Sequence, residues 1–248
     1  MTIPLQPSAV YGPVFSRRLG RSLGVNLLPT GAKTCNFNCV YCQYGTDRSP
    51  TKDFPDARDI IDQVEEVIGR EPEIDHITFS GNGEPTLHPK FSVIVDSIKK
   101  MRDVIIPHVP IALLTNGTGF RNIKKREALR QIDKVIVKLD AGNDALFQRI
   151  NQPADSLPLK DHLKYIKLQA PLYTQTCFFE NSPGNCDKPA LAAWYDAIKM
   201  LKPRLAKVYS LDRPTDRSNL CRVGIEQLRE IARQGQSFTG VRIKPFGR

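Results

Sequence analysis

The chain has 248 residues, 40% of them hydrophobic and 25% charged, the balance of an ordinary soluble globular protein. No apolar run is long enough to span a bilayer, and the start, Met-Thr-Ile-Pro-Leu-Gln-Pro, has neither the basic residues nor the apolar stretch of a signal peptide. These features predict a cytoplasmic protein with no membrane partner. Lys and Arg outnumber Asp and Glu by 36 to 26, a net charge of +10 that suits an anionic partner, nucleic acid first, and equally suits a merely basic soluble protein.

Strand and helix patterns alternate along the chain. Ser22–Leu28 reads as a first strand, closed by Pro29, and a cysteine-rich loop follows. Ile60–Ile68 has helical spacing and meets a stop signal at Gly69. His76–Ser80 is a strand running into Gly81-Asn82-Gly83, Phe91–Met101 a helix, and Ile111–Thr115 a strand ending in the turn pair Asn116-Gly117. Arg121–Gln131 is a helix, Lys134–Leu139 a strand leading to Asp140-Ala141-Gly142, and Pro158–Leu168 a helix. Leu172–Phe178 is a strand, Pro189–Leu201 a helix, Lys207–Leu211 a strand and Gly224–Arg233 a helix, with a last short strand over Val241–Lys244.

A βα repeat of about six units is the signature of an α/β fold with a parallel sheet and helices outside it. No linker or low-complexity tract interrupts it, so residues 1–248 are expected to form a single domain. Most strands end in polar or glycine-rich segments, and in such folds ligands gather at that end.

The strongest signal is Cys35-Asn-Phe-Asn-Cys39-Val-Tyr-Cys42. Thiolates are soft ligands suited to iron–sulfur clusters. Three of them hold three irons of a cubane and leave the fourth open. A structural zinc site needs four closed ligands, and the nearest histidine in sequence is the distant His76. A c-type haem site needs a histidine where Gln43 stands, and a thioredoxin-like pair leaves Cys35 unexplained. Tyr41 reads either as loop packing or as a ring for an adenine. Lys138 and Asp140 alternate with Leu139, so both can face one side, as ligand contacts or as a buried ion pair.

The triad, with an aromatic residue before its last cysteine, resembles the radical S-adenosylmethionine (SAM) superfamily. Phe79-Ser-Gly-Asn-Gly-Glu-Pro-Thr-Leu-His-Pro89 resembles that family's glycine–glutamate motif, with Asn82 where many members have glycine. Gly12–Asn26, Cys39–Gly45 and Leu211–Thr215 look like a group of small stand-alone members, similar to the enzyme that makes the tricyclic wybutosine base on tRNA. The chain shows no flavodoxin-like domain and no cysteine before Cys35, so the wybutosine reaction itself is not expected.

The resemblance implies a partial (β/α)6 barrel. It implies a [4Fe–4S] cluster on Cys35, Cys39 and Cys42, and SAM bound by Tyr41, Gly81, Asn82, Gly83, Glu84, Thr115, Asn116, Lys138, Asp140 and Tyr209. Glu84 would accept a hydrogen bond from the SAM ammonium. It also implies flavodoxin or ferredoxin as electron donor and a substrate that is an RNA base, a peptide or protein side chain, or a small metabolite. The rival is a non-catalytic iron–sulfur or zinc protein that binds nucleic acid.

Cys177, Cys186 and Cys221 read as a second cluster or as incidental thiols. Basic residues gather at Arg121–Arg126 with Arg130, at Lys160, Lys164 and Lys167, and at Arg213, Arg217 and Arg222. The first two groups suit a solvated helix face and the third an anionic substrate.

Overall fold

The computed structural model describes residues 3–45, 53–70, 73–155, 157–169, 171–213, 215 and 219–247. Arg217 and Pro214, within the third basic group and the Leu211–Thr215 motif, lie outside the described residues. The chain divides into two compact units, Pro4–Asn36 with Arg48–Ile136, and Met1–Ile3 with Phe37–Asp47 and Val137–Arg248.

The first unit is built on β1 (Val10–Ser16), β2 (Gly20–Val25), β3 (His76–Phe79) and β4 (Ile111–Thr115). β2, β3 and β4 run parallel, and β1 pairs antiparallel with β2. β1 escapes a sequence reading because Gly12 and Pro13 look like a loop. A register shift between Tyr11 and Val14 absorbs both residues, as bulged edge strands do. All four residues of β3 are buried, as in a strand covered on both faces.

Three helices complete this unit: α1 (Ala57–Arg70), α2 (Phe91–Ile105) and α3 (Ile123–Leu129). α1 buries Ala57, Ile60, Val64 and Ile68, a stripe at three- and four-residue spacing. Each buried Ile or Val contributes about 1.5–3 kcal/mol. α1 runs through Gly69, and its last turn is held by an i,i+4 pair between Arg70 and Glu66 at 2.8 Å. The helix expected from Arg121 is instead a 3-10 turn, Thr118–Arg121, followed by α3. The break comes at Asn122, whose extended backbone and side-chain bond to Lys125 N at 3.2 Å start a new helix.

β5 (Lys134–Lys138) carries the chain into the second unit. There β6 (Tyr173–Glu180), β7 (Leu205–Ser210) and β9 (Ile243–Phe246) run parallel, while β8 (Cys221–Arg222) pairs antiparallel with the end of β6. The parallel arrangement expected from sequence therefore holds for six of these strands, and β1 and β8 depart from it.

The helices here are α4 (Asp144–Ile150), α5 (Leu159–Lys167), α6 (Lys188–Leu201) and α7 (Ile225–Thr239). α4 is too short to show a period. Its signal is Asn143, which caps it by accepting from Leu146 N at 2.9 Å. α7 outruns its expected end at Arg233 and stops only at Gly240, at φ +70°. Trp194 of α6 is buried, and its indole N–H donates to Leu139 O at 3.1 Å and Thr176 Oγ1 at 3.0 Å. α6 is thereby pinned to the chain just after β5.

Candidate functional site

At the end of β3 the chain turns through two glycines that no other residue can replace without strain. Gly81 sits at φ +141° and Gly83 at φ +147°, outside what a side chain tolerates. A Cβ on Gly81 would lie 2.4 Å from Asn26 Oδ1, and one on Gly83 would lie 1.9 Å from Thr34 O. Gly83 thus lets the strand end press against the backbone that leads into Cys35. Thr34 N donates to Asn82 O at 2.8 Å, and Glu84 N donates to Thr34 O at 3.0 Å. Between the glycines Asn82 is fully buried. Its side chain accepts from Gln6 N at 2.7 Å and donates to Gln6 O and Pro29 O at 3.0 Å each. Asn82 therefore acts here as a strut for the N-terminal segment, a role the family motif does not suggest.

Glu84 is buried and ties the ends of β3 and β4 together. Its Oε1 accepts from Thr86 N at 3.1 Å, Thr86 Oγ1 at 2.6 Å and Thr115 Oγ1 at 2.7 Å, while Oε2 accepts from Asn116 N at 2.7 Å. Burial raises its pKa above the ordinary carboxylate value, against the pull of these hydrogen bonds. Oε2 keeps a second acceptor position, since a carboxylate oxygen has two lone pairs. Asn116 turns its side chain the other way. Its Nδ2 donates to Asn36 Oδ1 at 2.8 Å and lies 3.9 Å from Cys35 Sγ. Its Oδ1 accepts from Thr118 N at 3.0 Å and Thr118 Oγ1 at 2.8 Å. Cys35, Glu84, Thr115 and Asn116 form one hydrogen-bonded group in the first unit.

In the second unit the rest of the cysteine loop is stitched to the end of α4. Asn38 N donates to Asn151 O and Val40 N to Ile150 O, each at 2.9 Å. Phe37 is buried edge-on to Phe147, ring centroids 5.5 Å apart. Cys42 N donates to Cys39 O at 2.9 Å, so these two cysteines bracket one tight turn.

A polar network lies beneath that turn. Asp140 Oδ1 accepts from Cys177 N at 2.9 Å and pairs with Lys138 Nζ at 3.1 Å. Asp140 Oδ2 accepts from Asn151 Nδ2 at 2.9 Å and from the Tyr41 hydroxyl. Lys138 Nζ also donates to Tyr209 OH at 2.8 Å and lies 4.8 and 4.9 Å from the ring centroids of Tyr41 and Tyr209, cation–π distances. Lys138 and Asp140 form a buried ion pair. Burial works most strongly against the charge on Lys138, but Asp140, Tyr209 and Cys177 together outweigh it and lift its pKa above the usual lysine value. Burial, then Asp140, likewise holds the Tyr41 phenol well above its ordinary value. Tyr209 enters this network through its hydroxyl. The Tyr41 ring packs on Phe179 at 5.7 Å.

The donor chemistry fits an iron–sulfur cluster. Cys35, Cys39 and Cys42 are half-buried, in no disulfide, and lie on a loop without regular structure. Burial first, then Asp140, pushes the Cys39 thiol up to about 11, so its thiolate needs a cation to form. Asn151 Nδ2 lies 3.4 Å from Cys39 Sγ, a neutral donor aimed at the sulfur. Among the described residues no three His, Cys, Asp or Glu side chains close around a single metal ion. A cubane asks for no such convergence, because each thiolate binds a different iron. Of the other three cysteines, Cys177 is buried, Cys186 half-buried and Cys221 exposed.

Sequence reasoning missed Asn151, Asn36 and Asn185. Asn185 Nδ2 donates to Asp140 O and Cys177 O at 2.9 Å each. Asparagines carry no periodic signal, and only the fold brings these to the site. Of the basic groups, Arg121, Lys124, Arg130, Lys160, Lys164 and Lys167 are exposed, whereas Lys125 and Arg126 are half-buried. Arg213 and Arg222 are exposed, with Arg222 3.8 Å from Asp212. Among the described residues no helix is long and apolar enough to cross a membrane.

Comparison with known proteins agrees with this chemistry. A UPF0026 protein of Synechocystis sp. is 41% identical over 161 residues, 64% of this chain, and the chain spans 58% of that relative's length. A radical SAM methyltransferase from Sphaerobacter thermophilus superposes with a TM-score of 0.71 at 15% identity, over 91% of this chain and 65% of its own. The structure of TYW1 with a lysine–pyruvate adduct bound superposes with a TM-score of 0.63 at 13% identity, over 88% of this chain and 73% of its own. These likenesses show the fold, the α/β partial barrel expected from the sequence. The family model of the radical SAM superfamily matches residues 31–168, more than half of the 248. The chain belongs to the radical SAM superfamily, whose members use SAM and an iron–sulfur cluster and draw on an electron donor.

Proposed function

We propose that the chain, as a single radical SAM domain, holds a [4Fe–4S] cluster on Cys35, Cys39 and Cys42 and uses it to cleave SAM reductively. One observation carries this reading. Two of the three cysteines lie beside side chains at strand ends that the family assigns to SAM: Cys35 beside Asn116, and Cys39, through Asn151, beside Asp140. Together the cluster and SAM would supply a 5′-deoxyadenosyl radical that takes a hydrogen atom from the substrate.

The chain's own residues supply the positions. Gly81 and Gly83 shape the backbone at the end of β3 and leave no Cβ in the way, and Asn82 between them braces it. Glu84 holds the ends of β3 and β4 through Thr115 and Asn116, and its Oε2 keeps an acceptor position for the SAM ammonium. Lys138 and Asp140 lock Tyr41 and Tyr209. Flavodoxin or ferredoxin delivers the electron in the cytoplasm. The substrate is an RNA base, a peptide or protein side chain, or a small metabolite.

The test is anaerobic. After reconstitution with iron and sulfide, dithionite and SAM should yield 5′-deoxyadenosine, and Cys42→Ala should abolish it. A full cluster that neither binds nor cleaves SAM would move the protein to the class of non-catalytic iron–sulfur proteins that bind nucleic acid.

A further inference from the structure

Asn151, like the Tyr41 hydroxyl, links the cysteine loop to the buried ion pair. It follows α4 and is 2% exposed. Its two amide hydrogens have separate destinations: Nδ2 lies 3.4 Å from Cys39 Sγ and 2.9 Å from Asp140 Oδ2. Asp140 cannot turn away, because Lys138, Tyr41 and Cys177 N hold the same carboxylate. The backbone of Asn151 is held as well, since its carbonyl accepts from Asn38 N at 2.9 Å. One amide N–H is therefore held by Asp140 and the backbone by Asn38, and the other N–H lies against the sulfur.

An N–H donor on a ligand sulfur withdraws electron density from the iron–sulfur unit and favours its more negative, reduced form. A donor clamped in a buried site does this without competing water. We propose that Asn151 is a positioning residue for Cys39 whose amide N–H raises the reduction potential of the cluster, bringing it within reach of the electron donor. This rests on the cluster reading above and names no substrate.

The experiment uses the reconstituted holoprotein without SAM and an anaerobic redox titration followed by electron paramagnetic resonance. Asn151→Leu keeps approximate volume and removes the N–H. At a fixed potential its reduced-to-oxidised ratio should fall about tenfold, a midpoint lower by about 59 mV for one electron. Asn151→Gln, which keeps an amide, should recover part of the shift. An unchanged midpoint in Asn151→Leu with about four irons per chain would overturn the proposal and leave the cluster reading intact.

A further arm does not depend on Asn151→Leu. Asn116→Ala holoprotein, which lacks the amide beside Cys35, carrying nitrogen-15 in its asparagine side chains should show a nitrogen hyperfine coupling to the reduced cluster, and its absence overturns the proposal even if Asn151→Leu fails to fold. Failure of the wild-type protein to assemble any cluster is a different result, and it overturns the cluster reading as well.

Discussion

Lys138 Nζ and Asp140 Oδ1 stand 3.1 Å apart, with the Asp140 side chain fully buried and that of Lys138 15% exposed. Only Leu139 separates the two residues in sequence, and both side chains turn to the same face at the end of β5. A buried pair of this kind contributes little over a well-packed apolar pair, but breaking it strands a charge.

The first prediction follows from that asymmetry. Asp140→Asn keeps the shape and leaves Lys138 buried without its counter-charge, so unfolding stability should drop by about 3–5 kcal/mol. The double variant Lys138→Met with Asp140→Asn should be more stable than Asp140→Asn alone, by more than about 1 kcal/mol. Urea unfolding of the metal-free proteins measures both. Simple additivity of the two substitutions would show that the pair is not coupled.

Glu84 predicts a pH dependence. Its folded-state pKa lies above the ordinary 4.5 because burial outweighs its hydrogen bonds. The folded protein therefore holds this proton more tightly than the unfolded chain does. The resulting stabilisation is complete below the unfolded value and is lost as pH rises through the folded one. Glu84→Gln leaves at least one donor badly paired and should cost about 1–3 kcal/mol. The wild-type advantage over Glu84→Gln should shrink as pH rises above the ordinary carboxylate range. A constant or growing advantage over that rise contradicts the assignment.

Gly83 makes a steric prediction. Alanine there meets a backbone conformation costing about 1–3 kcal/mol, and its Cβ would fall 1.9 Å from Thr34 O. Gly83→Ala should lower the melting temperature of the metal-free protein. It should also weaken cluster assembly, because Thr34 precedes Cys35. Gly31→Ala, where a Cβ meets nothing within 4 Å, is the control and should melt like the wild type.

Thiol reactivity separates the remaining cysteines. Burial first, then Glu180, pushes the Cys186 thiol from 9.0 up to about 12, so it is almost wholly protonated and unreactive near neutrality. Cys221 is exposed, its Sγ 3.0 Å from Asn181 Nδ2. Alkylation of the metal-free protein at about pH 8, read by peptide mass spectrometry, should modify Cys221 well before Cys186. Equal rates would mean that Cys186 is not shielded as described.

Local patterns in the sequence determine much of this molecule. Apolar residues at Ile60, Val64 and Ile68 mark α1, and the run from Ile111 to Thr115 matches β4 residue for residue. The spacing of Cys35, Cys39 and Cys42 and the glycines flanking Asn82 point to the chemistry, because ligand spacing and backbone freedom are written in neighbouring residues. The tertiary structure decided the rest. It settled that Lys138 faces Asp140 as an ion partner, since alternation places two side chains on one face without saying what they meet. It showed Asn82 as a strut to Gln6 and Pro29, and it placed Asn151 between Cys39 and Asp140. The partners in these contacts are up to 112 residues apart. An asparagine amide has the same composition whether it faces water or a sulfur, so only the packed fold could assign it.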